Sequence, residues 1–298
     1  MNRRLSGIVA AGLVGLLALP AGAGAAARAT PKRAQPVVPG TGYLALGDSV
    51  TFGYMESNVV PPPNYHNASS FLGYPEQFGS MLRVKVANAA CPGETSSSLI
   101  NPKAISNGCE NKLGKPMSYR ANYPLHVKYK GSQLAYGVSY LKAHRNVRLV
   151  SLMIGANDVF VCQETTKDGC LALAEQQAVF KKVAANVRVI LSAVRNKARY
   201  RGQIAIVNYY SLNYNVALEN SVSIGLNKAM DGAAKPFGAE IANGYGLMQL
   251  AANRGGAQGD ACKAGLLTQL STGSCGVHPS YAGQAVLAQA LIRGVRLT

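Results

Sequence analysis

An apolar run, Tyr43-Leu44-Ala45-Leu46, stops abruptly at Gly47-Asp48-Ser49 and leads into Val50-Thr51-Phe52-Gly53-Tyr54. A buried strand that ends in Gly-Asp-Ser constrains this chain more than any other stretch. In an open α/β sheet, ligands bind outside the carboxyl ends of the strands. Ser49 therefore occupies a suitable address for a nucleophile. The triplet alone is a weak signal, because a serine there could equally cap a helix beginning near Val50. Its weight depends on which reactive residues accompany it downstream, and in what order.

Further apolar, β-branched runs lie at residues 84–89, 148–154 and 203–209, with a weaker one at 240–243. Such runs are expected of parallel strands buried on both faces. Residues 171–197 carry Ala174, Ala178, Val179, Val183, Val187, Ile190 and Val194 near a 3.6-residue period, which predicts a long helix. Weaker helical patterns cover 218–237 and 281–292. Strand alternating with helix predicts an α/β fold, a three-layer α/β/α sandwich around a mainly parallel central sheet. Segments 54–72 and 101–132 are rich in Pro, Asn, Ser, Tyr and Gly and read as long loops that build a substrate site. There are no internal repeats.

The chain has 298 residues, 48% hydrophobic and only 14% charged, which suits a globular fold with a sizeable core. Arg3 and Arg4, an apolar run from Ile8 to Leu19, Pro20 and small residues after it read as a secretory signal peptide over 1–27. Residues 28–40 read as a flexible lead-in, and 41–298 as the folded domain. No later segment is a membrane-span candidate, so the expected product is a soluble exported protein. The net charge of +17 is scattered along the chain. It favours contact with anionic surfaces, and no nucleic-acid motif accompanies it. Six cysteines, Cys91, Cys109, Cys162, Cys170, Cys262 and Cys275, agree with an oxidising compartment. They fall into three local couples among the 15 connectivities open to six cysteines, so 91–109, 162–170 and 262–275 are the expected bonds. Metal binding is not expected, because there is no Cys-x-x-Cys pair and no histidine cluster.

Four short blocks carry the chemistry. They are Gly47-Asp48-Ser49, Asn88 to Thr95 with Cys91-Pro92-Gly93 inside it, Gly155-Ala156-Asn157-Asp158, and Val277-His278-Pro279. The first three come directly after strand ends and would converge on one edge of the sheet. Ester cleavage needs a nucleophile, a base and donors for an oxyanion. Ser49 suits the first role and His278 the second, since imidazole titrates near neutrality. The N–H groups of Ser49 and Gly93 and the amide of Asn157 suit the third. Glycine at 93 lets the backbone approach a substrate closely.

This ordered set resembles the SGNH hydrolases, the GDSL esterase/lipase family, over the whole stretch from Gly42 to the last helix. The six cysteines and the Ala90-Cys91-Pro92-Gly93 turn look most like the family's secreted actinobacterial esterases and lipases. The resemblance implies a flavodoxin-like sandwich, a serine esterase that needs no cofactor or metal, and oxyanion donors at Ser49, Gly93 and Asn157. In most of the family an aspartate stands three residues before the histidine. Here that residue is Cys275, and no carboxylate lies within 273–278. The expectation is a Ser49–His278 dyad whose imidazole is oriented by a main-chain carbonyl, that of Cys275 or a near neighbour, with a distant aspartate such as Asp260 as the rival.

Other candidates have ordinary readings. His66 and His126 are expected at the surface and His144 at a solvated helix end. Asp48 and Asp158 are expected to bond local backbone. The tyrosines of 119–140 and 209–214 could line an acyl or aryl pocket or simply pack loops. The expected substrate is an acyl ester or lipid and the expected state a monomer. A carbohydrate O-deacetylase and a non-catalytic binder of anionic surfaces are the alternatives.

Overall fold

The computed structural model describes residues 34–297; the signal peptide expected over 1–27 lies outside them. The five strands of the main sheet are β1 (Gly42–Gly47), β2 (Lys85–Asn88), β3 (Val147–Met153), β4 (Gln203–Val207) and β5 (Ala239–Ala242). They pair in the order β2-β1-β3-β4-β5, and every pairing is parallel. The helices are α1 (Ser49–Phe52), α2 (Tyr74–Leu82), α3 (Tyr119–Asn122), α4 (Gln133–Ala143), α5 (Ala156–Thr165), α6 (Leu173–Ser192), α7 (Ala217–Ala234), α8 (Gly244–Ala252) and α9 (Tyr281–Gly294). A two-stranded antiparallel hairpin, β6 (Leu267–Gln269) and β7 (Cys275–Pro279), precedes α9.

The pleat of β1 sends alternate side chains to opposite faces. Leu44 and Leu46 point at α4, where a Cβ added to Gly137 would sit 3.5 and 3.3 Å from their Cδ2 atoms. Tyr43 points the other way and meets Phe78 of α2 edge-on, with ring centroids 5.2 Å apart. Helices α2, α8 and α9 cover this second face, and α4, α6 and α7 cover the first. On α6 the buried residues Val183, Val187, Ile190 and Leu191 form one stripe with helical spacing. The sandwich expected from the alternation of strand and helix is therefore the fold observed.

Three features differ from the sequence reading. The lead-in is already packed by Val37, which is buried, bridges Leu297 and donates its N–H to the Arg296 carbonyl at 3.0 Å. An apolar side chain beside Leu297 has a place to be buried, so this part of the lead-in packs onto the domain. Helices α2, α5 and α8 were not legible as periodic patterns, because α2 and α8 contain internal glycines and α5 opens inside the Gly155-Ala156-Asn157-Asp158 block. The hairpin also escaped notice, since Leu267-Thr268-Gln269 and Cys275 to Pro279 lack alternation.

The chain leaves β1 for β2 on one side, then crosses to β3 on the other. This reversal opens a crevice between the carboxyl ends of β1 and β3, the usual ligand address of such sheets. Ser49 comes just after β1 and Asn157 just after β3, so both lie at its mouth. Leu152, fully buried on β3, should be costly to truncate. Leu152→Ala is expected to lower the free energy of unfolding by about 2–5 kcal/mol. Equilibrium urea unfolding with an unchanged m-value would register it, and an unchanged midpoint would contradict this packing.

Candidate active site

Ser49 is the first residue of α1. Asp48 caps that helix, its Oδ1 accepting the Val50 N–H at 3.0 Å, and its Oδ2 accepts the Tyr209 hydroxyl. Asp48 is fully buried, and burial raises its pKa to about 6 despite those bonds. It thus supports the turn, as expected of it, and it is Asp48 rather than Ser49 that caps the helix. At the first helical position the Ser49 N–H has no intrahelical acceptor.

His278 lies on β7 and turns its ring onto Ser49, with Nε2 3.0 Å from Oγ. The opposite nitrogen, Nδ1, is 2.7 Å from Oε1 of Glu56. The same oxygen accepts the N–H of Val277 at 3.0 Å, and Oε2 accepts the Thr268 hydroxyl at 2.6 Å. The Cys275 carbonyl is therefore not the partner of the imidazole: the expected dyad is corrected to a serine, histidine and glutamate chain. Asp260 is no substitute either, since its Oδ1 accepts the N–H groups of Cys262 and Lys263.

Glu56 comes from the 54–72 loop, seven residues after Ser49. That loop is laced to the hairpin by the Val59–Leu270 bridge and by the Ser271 N–H on the Asn58 carbonyl at 2.8 Å. Gly276 leaves room for the carboxylate, because a Cβ there would overlap Oε1. The one available sequence signal is that Glu56 is the only acidic residue between Asp48 and Glu76. Partial burial would raise its pKa, but the hydrogen bond and charge of His278 and the Thr268 hydroxyl outweigh that and lower it to about 2. With Nδ1 donating to an ionised Glu56, neutral His278 presents a bare Nε2 that can accept the Ser49 proton.

Two more candidates come from the segments that follow β2 and β3. Gly93 has φ 82°, and a Cβ there would stand 2.5 Å from the Asn107 carbonyl oxygen, so only glycine fits. Asn157 is buried in the first turn of α5; its Nδ2 donates to the Glu94 carbonyl at 3.0 Å and its Oδ1 accepts from Asn107 Nδ2 at 2.9 Å. Asp158, the next residue, accepts the N–H and hydroxyl of Ser96, each at 2.7 Å, and so ties α5 to the loop after β2. Gln133 of α4, absent from the sequence reading, joins the other blocks. Its amide accepts the Gly47 N–H at 2.7 Å and donates to the Gly47 carbonyl and to Glu94, both at 3.0 Å.

Ser49, Gly93, Asn157 and His278 together border a cavity of about 410 Å³ that Tyr54, Tyr119 and Tyr123 also line, Tyr54 meeting the His278 ring edge-on with centroids 4.9 Å apart. A second cavity of about 230 Å³ opens from Ser49, Asn157 and His278 in another direction and is lined mainly by Phe160, Leu212, Leu218, Val222 and Leu226. The tyrosine stretches thus do both jobs weighed for them. Tyr209 and Tyr210 line the apolar cavity, and Tyr210 also donates to the Val277 carbonyl at 2.6 Å, beside the histidine. His66 and His144 are exposed, as expected. His126 is half-buried rather than free at the surface: its ring lies tilted against Phe52 with centroids 4.6 Å apart, its Nε2 lies 3.0 Å from the Phe52 carbonyl oxygen, and burial lowers its pKa.

Three disulfides form, Cys91–Cys109, Cys162–Cys170 and Cys262–Cys275. Each braces a piece of the site: the Gly93 loop, the end of α5, and the hairpin that carries His278. No helix among the described residues is long and apolar enough to cross a membrane. Both facts are compatible with an extracellular protein.

A serine, an imidazole and buried amide donors at a strand switch point define a hydrolase site in a parallel α/β sandwich. The profile of the GDSL-like lipase/acylhydrolase family matches residues 45–286, and the chain belongs to that family. It is accordingly a carboxylic ester hydrolase acting on acyl esters. No curated protein matches the sequence. Among solved structures it is similar to the lipase Lip_vut3 from a goat rumen metagenome, at 14% identity and TM-score 0.53, over 86% of this chain and 98% of the other. It is also similar to an acetylxylan esterase from Geobacillus stearothermophilus, at 15% identity and TM-score 0.52, over 87% of this chain and 96% of that one. At such identities the likeness concerns the fold.

The lowered pKa of Glu56 ties stability to pH. A carboxyl lowered on folding stabilises the protein above its ordinary value near 4.5, and that contribution disappears as pH falls through about 2. Glu56→Gln is expected to unfold more easily than the parent at pH 6, with the gap closing toward pH 2. Thermal or urea unfolding across that range measures it, and a gap independent of pH would contradict an ionised Glu56 in the fold.

Proposed function

We propose that this chain is a secreted serine esterase or lipase in which Ser49 is the nucleophile, His278 the base and Glu56 the carboxylate that orients the histidine. The observation that carries the reading is the continuous chain Ser49 Oγ, His278 Nε2, His278 Nδ1, Glu56 Oε1, with links of 3.0 and 2.7 Å. Ser49 Oγ attacks the ester carbonyl carbon as its proton passes to His278 Nε2. The carbonyl oxygen gains the negative charge, and the N–H groups of Ser49 and Gly93 and the Asn157 amide receive it. Collapse expels the alcohol, which takes the proton from His278. Water then enters, gives a proton to the same nitrogen, and releases the acid from Ser49. No step calls on a metal or cofactor.

The apolar cavity supports an acyl chain longer than acetyl. Phe160, Leu212, Leu218, Val222 and Leu226 would exclude water from such a tail, and each added methylene is worth about 0.8 kcal/mol when buried. The tyrosine-walled cavity on the other side would hold the alcohol. A carbohydrate O-deacetylase, the activity named for the Geobacillus neighbour, would leave the apolar cavity empty. The chain is proposed to act as a monomer, and its net charge of +17 supports loose contact with anionic surfaces.

Hydrolysis of p-nitrophenyl esters from acetate to palmitate tests the reading. The rate constant kcat/KM should rise beyond acetate, and Ser49→Ala should abolish turnover. Equal activity in both proteins would remove Ser49 from the mechanism, while a maximum at acetate would favour the deacetylase.

The orienting carboxylate is tested separately. Glu56→Gln should cost kcat on the order of the 10⁴-fold seen when a triad carboxylate is neutralised. Asp260→Asn should leave kcat within a few-fold. The reverse ranking would return the role to Asp260.

A further inference from the structure

Lys112 stands outside the four blocks, yet it borders the same cavity as Ser49, Gly93 and Asn157. Its Nζ lies 2.5 Å from Asn107 Oδ1 and 2.5 Å from Glu164 Oε1. Asn107 passes the contact on, its Nδ2 donating to Asn157 Oδ1 at 2.9 Å. Asn157 Nδ2 donates one of its two hydrogens to the Glu94 carbonyl at 3.0 Å. The second remains for a ligand in the cavity. The result is a directed chain from ammonium to amide to amide, each donor bonding the oxygen of the next group, and it ends at Asn157, which borders the same cavity as Ser49.

We infer that Lys112 and Asn107 are positioning residues that hold and polarise the Asn157 amide as an oxyanion donor, a role that rests on the reading of Ser49 as nucleophile. An ammonium on an amide oxygen draws electrons from its nitrogen, so the N–H beyond becomes a stronger donor. Chains of hydrogen bonds polarise one another in this way, more so where water is scarce. The effect grows when negative charge appears on the substrate oxygen, so it favours the transition state over bound substrate. The chain also settles which end of the Asn157 amide faces the cavity, because Asn107 Nδ2 demands an oxygen. The backbone holds the relay in place: the Asn107 N–H donates to the Gly93 carbonyl at 2.7 Å, and Cys91–Cys109 closes the loop around both.

Glu164 offers the control. The Lys112–Glu164 pair is substantially exposed, with 30% and 41% of the side chains accessible, and surface pairs of this kind contribute little to stability. If Lys112 served only that pair, Glu164→Gln and Lys112→Met would behave alike.

The test is steady-state hydrolysis of one p-nitrophenyl ester by the parent, Lys112→Met, Lys112→Arg, Glu164→Gln, Asn107→Ala and the double variant Lys112→Met/Asn107→Ala. Inhibition by phenylboronic acid, whose tetrahedral anion on Ser49 mimics the charged oxygen, is measured alongside. Lys112→Met should lower kcat about tenfold with KM unchanged, well short of the 10²–10³ that loss of an oxyanion donor costs. Boronate affinity should fall in parallel, Lys112→Arg should recover most of the loss, and Glu164→Gln should retain parental kcat. The double variant should be no slower than Asn107→Ala, as for residues acting through one path. Parental kcat in Lys112→Met, multiplicative losses in the double variant, or equal losses in Glu164→Gln would each overturn the relay. An active parent with an inactive Ser49→Ala would leave the esterase reading standing in that event; an inactive parent would overturn both.

Discussion

The site depends on how β1 ends. At Gly47 the strand still runs in register with Met153 of β3 and its carbonyl accepts the Cys91 N–H at 3.3 Å, but its buried N–H and the carbonyl's second lone pair still need partners. The Gln133 amide closes both of them, and its remaining hydrogen reaches Glu94. One side chain thus holds the turn that presents Ser49 and the loop that presents Gly93. Asp48 with Tyr209, and Asp158 with Ser96, repeat the device on either side. Buried polar groups reaching between separate elements stitch together the Ser49 turn, the Gly93 loop and the Asn157 helix.

Those same bonds alter the meaning of the net charge. The chain has only 13 acidic residues against 30 lysines and arginines. Asp48, Glu94 and Asp158 are buried, and burial raises the pKa of each. Glu56 faces His278, and Glu110 is paired with Arg120 at 2.9 Å. Many of the acids are thus drawn into the interior and the site, so the outer surface is more cationic than composition suggests.

Much of the site was legible in the sequence because each block is local. Gly47-Asp48-Ser49, the block around Gly93 and Gly155 to Asp158 each combine a strand end with residues that suit a tight turn, and His278 stands just before the last helix. The four main strands fall within a residue or two of the apolar runs, as buried parallel strands should. Glu56 was not legible. It approaches His278 across 222 positions of sequence, in a loop whose composition carries no period and no motif. An acid just before the histidine would have been visible along the chain, whereas this acid comes from the loop after the serine. Gln133 and Lys112 were hidden for the same reason: each acts through a contact between loops or helices far apart in sequence.

The sequence by itself determined the class of fold, the order of the reactive blocks and the local pairing of the cysteines, because strand burial, turn chemistry and short loop closures are properties of neighbouring residues. Only the tertiary structure decided which carboxylate faces the histidine, which amide end faces the cavity and where the apolar pocket opens. Those are matters of orientation to within an ångström between segments that no local preference connects, and they are settled when the hairpin, the 54–72 loop and the 101–132 loop close together over the carboxyl edge of the sheet.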